Sequence, residues 1–225
     1  MEINRIATIY TDFPGKFGLP RQAGLAPSLR GRIVMEKEFR RAEAFRGLEG
    51  FSHIWLIWGF SESAGQWQPT VRPPRLGGNV RVGVFASRSP FRPNGLGMSA
   101  VKLERIDYEA EDGPVLYVSG IDMVSGTPVY DIKPYAPHAD CINGAEGGFA
   151  AAVADDYMEV AAPQKLLERL PEDKRRGLLE ALAQDPAPHY QDDPKRIYGF
   201  EYAGFEIKFR RMENLLILED ITDRV

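Results

Sequence analysis

Over most of the first 155 residues, apolar and polar positions alternate in short runs, each closed by proline or glycine. A period of two marks strands rather than helices. The pattern predicts strands at Ile6–Thr11, Gly31–Met35, Ser52–Phe60, Val80–Ala86, Met98–Tyr108, Val115–Met123 and Pro128–Asp131, with no regular βαβ alternation and no internal repeat. Six or seven such strands suffice to close a sheet on itself. The segment HIWLIWGF is apolar at both parities, as expected of a strand covered on both sides, and His53 beside it reads as a satisfied core residue. Glu36–Phe45 is the expected helix of this region, ending near Gly47.

The pattern shifts after Gly148. Leu166, Leu167 and Leu170, then Leu178, Leu179 and Leu182, recur at helical spacing, and Pro171 restarts the helix rather than continuing it. Phe205, Ile207 and Phe209 then alternate with Glu206, Lys208 and Arg210, and a polar turn at Met212–Asn214 leads into Leu215–Leu218, the signature of a hairpin. The chain therefore reads as mainly β: a six- or seven-stranded β-barrel over residues 1–155 and a small α+β domain over 156–225.

Composition adds exclusions. At 225 residues, 44% hydrophobic and 27% charged, with one cysteine, the chain has the make-up of an ordinary globular protein without an internal disulfide. It contains no run of 18 apolar residues and opens without a signal-like segment, so a cytoplasmic location is expected. There is no GxGxxG, no GxxxxGK[ST], no HExxH and no CxxC, which demotes doubly wound nucleotide folds, P-loop enzymes and zinc enzymes. His53, His138 and His189 lack paired ligand spacing, and no metal is expected.

The charge distribution is more telling than the total. The formal net charge is -4, yet between Trp67 and Leu103 there are six Arg/Lys side chains and no Asp or Glu. Pro90 and Pro93 stiffen the backbone that carries Arg88 and Arg92, while Gly95 and Gly97 permit close approach before the next strand. Such a loop suits an anionic ligand. The earlier loop FPGKFGLPRQAGL has the same character: Arg21 offers a guanidinium to a carboxylate, and Gln22 offers an amide to the edge of a purine. A third segment, VLYVSGIDMVSGTPVYDIKPY, presents Ser119, Gly120, Ile121 and Asp122, with Asp122 able to accept from a ribose or an ammonium. Asp131 beside Lys133 is equally a structural ion pair or a reactive one.

Taken together, PTVRPPRLGGNVRVGVFASRSPFRPNGLGMSAVKL, RGLEGFSHIWLI, PRQAGL and DIKPYAP resemble the TsaA-like family in its bacterial TrmO-type form, and DPAPHYQDDPKRIYGF with the strand pair after it resembles that family's C-terminal extension. The resemblance implies a β-barrel that binds S-adenosylmethionine (SAM), a homodimer, and N6-methylation of N6-threonylcarbamoyladenosine beside the tRNA anticodon, at position 37. It also implies SAM contacts at Arg21, Gln22, Ala23, Ser61, Glu62, Arg88, Met98, Ser119, Gly120, Ile121 and Asp122. On that reading Asp131 and Tyr135 are candidate proton acceptors or orienters and Lys133 stabilises developing negative charge. Arg72, Arg75 and Arg92 would follow tRNA phosphates, and Phe91 or Tyr135 would stack on the target base. Two alternatives stay open: a noncatalytic SAM- or RNA-binding module, and a methyltransferase of the same fold acting on a small nucleoside.

Overall fold

The structure, a computed structural model, describes residues 2–61, 67–73, 80–153, 157–188 and 193–224. The strands in chain order are β1 (Ala7–Thr11), β2 (Arg30–Met35), β3 (His53–Gly59), β4 (Thr70–Val71), β5 (Val82–Gly83), β6 (Leu96–Asp107), β7 (Val115–Ser119) and β8 (Thr127–Pro134), followed by β9 (Glu159–Ala161), β10 (Ile197–Tyr202), β11 (Phe205–Met212) and β12 (Leu215–Asp223). Six of them close a barrel in the order β1-β2-β7-β6-β3-β8, every neighbouring pair antiparallel. The alternation read from the sequence explains the interior: Ala7, Ile9, Ile33, Ile54, Leu56, Val101, Leu116, Val118 and Val129 are buried, while Tyr10, Arg32 and Lys102 point outward. A barrel this narrow is filled by its own side chains.

Three expectations for the first part fail for physical reasons. Val80–Ala86 is not a barrel strand: only Val82–Gly83 pairs, with Thr70–Val71, in a separate two-stranded ribbon, and Val84–Ala86 turns into a 3₁₀ coil. Phe85 is exposed while Val84 is buried, so the run has no sheet face to alternate across. Glu36–Phe45 is not a continuous helix but two 3₁₀ turns, Lys37–Phe39 and Ala42–Phe45, broken where Arg41 turns extended. Only Phe45 of the two turns is buried, so no apolar stripe existed to support a longer helix. His53 is also exposed, its Nδ1 2.9 Å from the Ser52 hydroxyl, rather than a core residue.

The remaining elements are α1 (Pro137–Asp140), α2 (Gln164–Leu167) and α3 (Glu172–Ala183). Pro171 caps α3 from outside the helix, as its fixed φ favours. β10, β11 and β12 form an antiparallel meander, and β9 adds to β12 in parallel. The inner face of α3, with Gly177, Leu178, Ala181 and Leu182, is buried. One continuous apolar cluster joins this unit to the barrel. At the junction, Phe13 and Phe17 pack on Phe200, Tyr202, Tyr198 and Phe209, with ring centroids 5.0–6.4 Å apart. Burial pushes the Tyr202 hydroxyl pKa up, so it stays protonated and donates to the Lys174 carbonyl at 3.1 Å.

Candidate functional site

Antiparallel closure decides where the loops go. β1, β3 and β7 end, and β2, β6 and β8 begin, at one mouth of the barrel, so the connections 12–29, 60–95 and 120–126 all gather there. These are the three segments singled out in the sequence.

Their contacts form a chain. The Arg88 guanidinium donates to the Gln22 side-chain oxygen, and the Gln22 amide donates to the Arg21 carbonyl at 2.6 Å. The Gly24 amide donates to the Gly120 carbonyl at 2.9 Å, and the Gly120 amide to the Leu29 carbonyl at 2.8 Å. Gly120 has φ +73°, and a Cβ there would touch the backbone of Gly24, so the two loops meet main chain to main chain. Asp122 closes the circuit: the Ser99 hydroxyl donates to its Oδ1 at 2.7 Å, and the Ala23 peptide also bonds to it. Ser99 in turn accepts from the Trp58 indole N–H at 3.0 Å.

Electrostatics mark Asp122 out. Burial pushes its carboxyl above the usual carboxylate range, opposed by the bonds from Ser99 and Ala23 and by the positive charge of Arg88. An acidic group held back from full solvation beside a guanidinium is an arrangement found at functional sites more often than elsewhere. With exposed Arg88 and half-buried Gln22, the mouth offers a cation, an amide and a carboxylate within one connected set. That set matches a zwitterionic ligand with a polar heterocycle.

Other sequence-nominated residues serve different ends. Ile121 is buried against the barrel interior near Gly31, and the Ser119 hydroxyl donates to Glu104 at 2.6 Å, so their side chains brace the sheet. That bond and Lys102 hold the Glu104 carboxyl below its ordinary pKa. Arg92 donates to the Val84 and Ser87 carbonyls at 3.1 and 2.6 Å, making it a strut of its own loop. Met98, Arg72 and Ser61 are exposed, and Phe91 is half-buried. Glu62, Arg75 and His189 lie outside the described residues.

Asp131, Lys133 and Tyr135 are not brought to this mouth. They follow β8 away from it: Asp131 pairs with Ile57, Lys133 with Trp55, and the Tyr135 amide bonds to the His53 carbonyl. At about 3.3 Å per residue, Asp131 stands roughly 13 Å and Tyr135 roughly 26 Å along the strand from Thr127. The Lys133 ammonium lies 2.9 Å from the Asp131 carboxylate, and Tyr135 packs on Trp55 with centroids 5.5 Å apart. Asp131 also borders a groove of about 630 Å³ at the opposite mouth, with Phe39, Phe45 and Phe51.

Sequence reasoning missed Ser99 and Trp58. The available signal was parity: Ser99 shares its face with Val101 and Leu103, a polar residue at an inward position. Among the described residues, no cluster of His, Cys, Asp or Glu fits a metal ion, and no helix is long and apolar enough to cross a membrane.

Comparison with known proteins places the chain in a family. Residues 8–141 match the tRNA-methyltransferase O N-terminal domain and residues 156–224 the TrmO C-terminal domain. The chain is 38% identical over 218 residues to a tRNA (adenine(37)-N6)-methyltransferase of Escherichia coli, covering 93% of this chain and 92% of that one. It is 48% identical over 173 residues to the protein of the same name from Eikenella corrodens, covering 76% and 97%. A crystal structure of TrmO from Pseudomonas aeruginosa superposes with a TM-score of 0.80 at 34% identity, over 100% of this chain and 97% of that one. By domain match, by fold and over nearly its whole length, this chain belongs to the TrmO family of TsaA-like proteins.

Proposed function

We propose that the protein is a SAM-dependent tRNA methyltransferase that modifies N6 of the adenosine at position 37, with N6-threonylcarbamoyladenosine as its substrate base. The observation that carries this reading is the convergence of Arg88, Gln22 and Asp122 at one barrel mouth, where Arg88 bonds to Gln22 and Asp122 bonds to the peptide of Ala23, the next residue. When bound, SAM supplies an electrophilic methyl on a sulfonium. Arg88 fits the methionyl carboxylate, Asp122 the ammonium or ribose hydroxyls, and the Arg21–Gln22–Ala23 backbone and amide the adenine edge. The close approach of Gly120 to Gly24 fixes the backbone of both loops beside that edge.

In the substrate, N6 belongs to a urea-like linkage, so its lone pair is delocalised and its proton must leave as the methyl arrives. A positioned base contributes about 10²- to 10⁴-fold to such a step. Asp131 or Tyr135 fills that role, with Lys133 steadying the anion that forms. Their distance from the mouth along β8 favours a homodimer in which the outer wall of β3 and β8 faces the partner's loops. Half-buried Trp55 and Ile57 and exposed Met98 and Phe85 supply apolar surface for that contact. Anchorage of the methyl donor and alignment of the base supply the rest of the acceleration. Arg72, in this reading, follows the phosphates of the anticodon loop, whose unpaired bases need little unstacking.

The decisive experiment incubates the protein with labelled SAM and threonylcarbamoylated tRNA, then resolves the digested nucleosides by mass spectrometry. A methylated N6-threonylcarbamoyladenosine is expected. A stable complex without that product would leave only a binding module, and equal turnover of the free nucleoside would remove tRNA as the substrate. Arg88→Ala is expected to weaken SAM binding by about 10- to 100-fold, the worth of a charge-assisted bond, and unchanged affinity by calorimetry would take Arg88 out of the site.

A further inference from the structure

The loop that bears Arg21, Gln22 and Ala23 is held from two sides, and the second side is not the barrel. Residues 12–29 contain no helix or strand. A loop of this length fixes a ligand only if something else immobilises it.

That support comes from the C-terminal unit. Glu180 of α3 grips Ser28 with both oxygens, accepting from the peptide N–H at 2.7 Å and from the hydroxyl at 2.8 Å. Arg176 donates to the same carboxylate at 2.9 Å. At the loop's other end, Lys174 donates to both oxygens of Asp12, at 2.9 and 2.7 Å, and the Ala203 amide donates to the Asp12 carbonyl at 2.8 Å. Midway, the Gln184 amide reaches the Leu25 carbonyl at 3.3 Å. Both ion pairs are largely shielded on the acidic side, with Glu180 19% and Asp12 20% exposed. Gly18 lies flat under the Phe200 ring, where a Cβ would overlap it.

We infer that the C-terminal unit acts as a splint for the donor loop, and that Glu180 is a positioning residue for SAM binding through Ser28. This rests on the reading that the Arg21–Ala23 loop holds the donor. The inference gives α3 a role in the methyl-donor site. A carboxylate suits the task because it accepts from three donors at once: the Ser28 peptide, the Ser28 hydroxyl and Arg176. Glutamine in its place has one accepting oxygen, and its amide faces at least one donor head-on.

The test measures SAM and tRNA affinity separately on the full chain, by calorimetry, for Glu180→Gln, Ser28→Ala, the double variant and Gln22→Ala. Glu180→Gln is expected to weaken SAM about 5- to 10-fold, the worth of an ordinary hydrogen bond because Glu180 acts at one remove, with tRNA affinity unchanged and kcat recovered at saturating SAM. The double variant is expected to be no weaker than Glu180→Gln alone, because both changes cut one connection. Ser28→Ala leaves α3 and the Glu180–Arg176 pair intact and carries the test if Glu180→Gln does not fold. Unchanged SAM affinity in Glu180→Gln and Ser28→Ala, with Gln22→Ala weakened, overturns the splint alone. Unchanged affinity in all three overturns the placement of the donor as well. A selective loss of tRNA affinity in Glu180→Gln overturns the inference in favour of α3 as an RNA contact.

Discussion

Ser99→Ala puts the buried relay behind Asp122 to a quantitative test. Ser99 is 2% exposed and serves two neighbours: it accepts from the Trp58 indole and donates to Asp122. Alanine fits the space, so no cavity forms, and the cost is polar. Trp58 is 7% exposed, and leaving its N–H without an acceptor costs about 1–3 kcal/mol. Asp122 is only partly enclosed, and water replaces part of the lost donor, adding about 1 kcal/mol when the carboxylate is charged. The sum is about 2–4 kcal/mol at neutral pH, a large share of the roughly 5–15 kcal/mol that holds a domain folded.

The second contribution depends on pH with a definite sign. Because burial already raises the folded-state pKa of Asp122, the folded protein holds this proton more readily than the unfolded chain, and stability falls as pH rises through the window above the ordinary value of 3.8. Removing Ser99 removes a bond that lowers that pKa, so the variant loses more over the same window. Urea unfolding followed by circular dichroism at pH 8 and near pH 4 reads this directly. The gap between wild type and variant is expected to narrow in acid without vanishing, since the Trp58 share does not titrate. A gap below about 0.5 kcal/mol at pH 8, within the range of a neutral surface change, would refute the relay, and a gap that widens in acid would refute Ser99 as a donor that favours the charged Asp122 carboxylate.

Two further expectations follow from neighbouring residues. Asp122→Asn keeps an oxygen for Ser99 but removes the cost of holding a charge there, so it should melt higher than wild type at pH 8, converge with it in acid, and bind SAM more weakly; a lower melting temperature at pH 8 would contradict the burial argument. Gly18→Ala places a side chain at φ +88° into the Phe200 ring and should cost about 2–4 kcal/mol by denaturation, whereas a change below about 1 kcal/mol would mean that the junction between loop and C-terminal sheet yields easily.

The barrel was legible because its strands are half-buried in a strict two-residue rhythm, as Ala7–Ile9 and Ile54–Leu56 show. Where burial depended on partners far along the chain, the sequence was silent. β9 is three residues long and exists only because Leu215–Ile217 pairs with it in parallel. β10 carries a plain alternation at Tyr198, Phe200 and Tyr202, but Gly199 and the preceding polar tail obscured it. The Arg88, Gln22 and Asp122 trio could be nominated from residue type and loop stiffness; that they gather at one mouth follows from antiparallel closure. The Glu180–Ser28 bond spans 152 positions and leaves no local trace. Conversely, Val80–Ala86 looked like a full strand because β-branched residues abound there, although only the two-residue Thr70–Val71 pairs with it.

Closure of the barrel sets the order in which this protein can be made. Ala7 pairs with Val129, so one edge of the first strand waits until the last barrel strand has emerged from the ribosome, and the seam joining them cannot form earlier. The donor loop waits longer still, because Asp12 and Ser28 meet Lys174 and Glu180 only after α3 is synthesised. A nascent chain stalled before that helix would carry every residue of the barrel mouth and yet lack its outer brace.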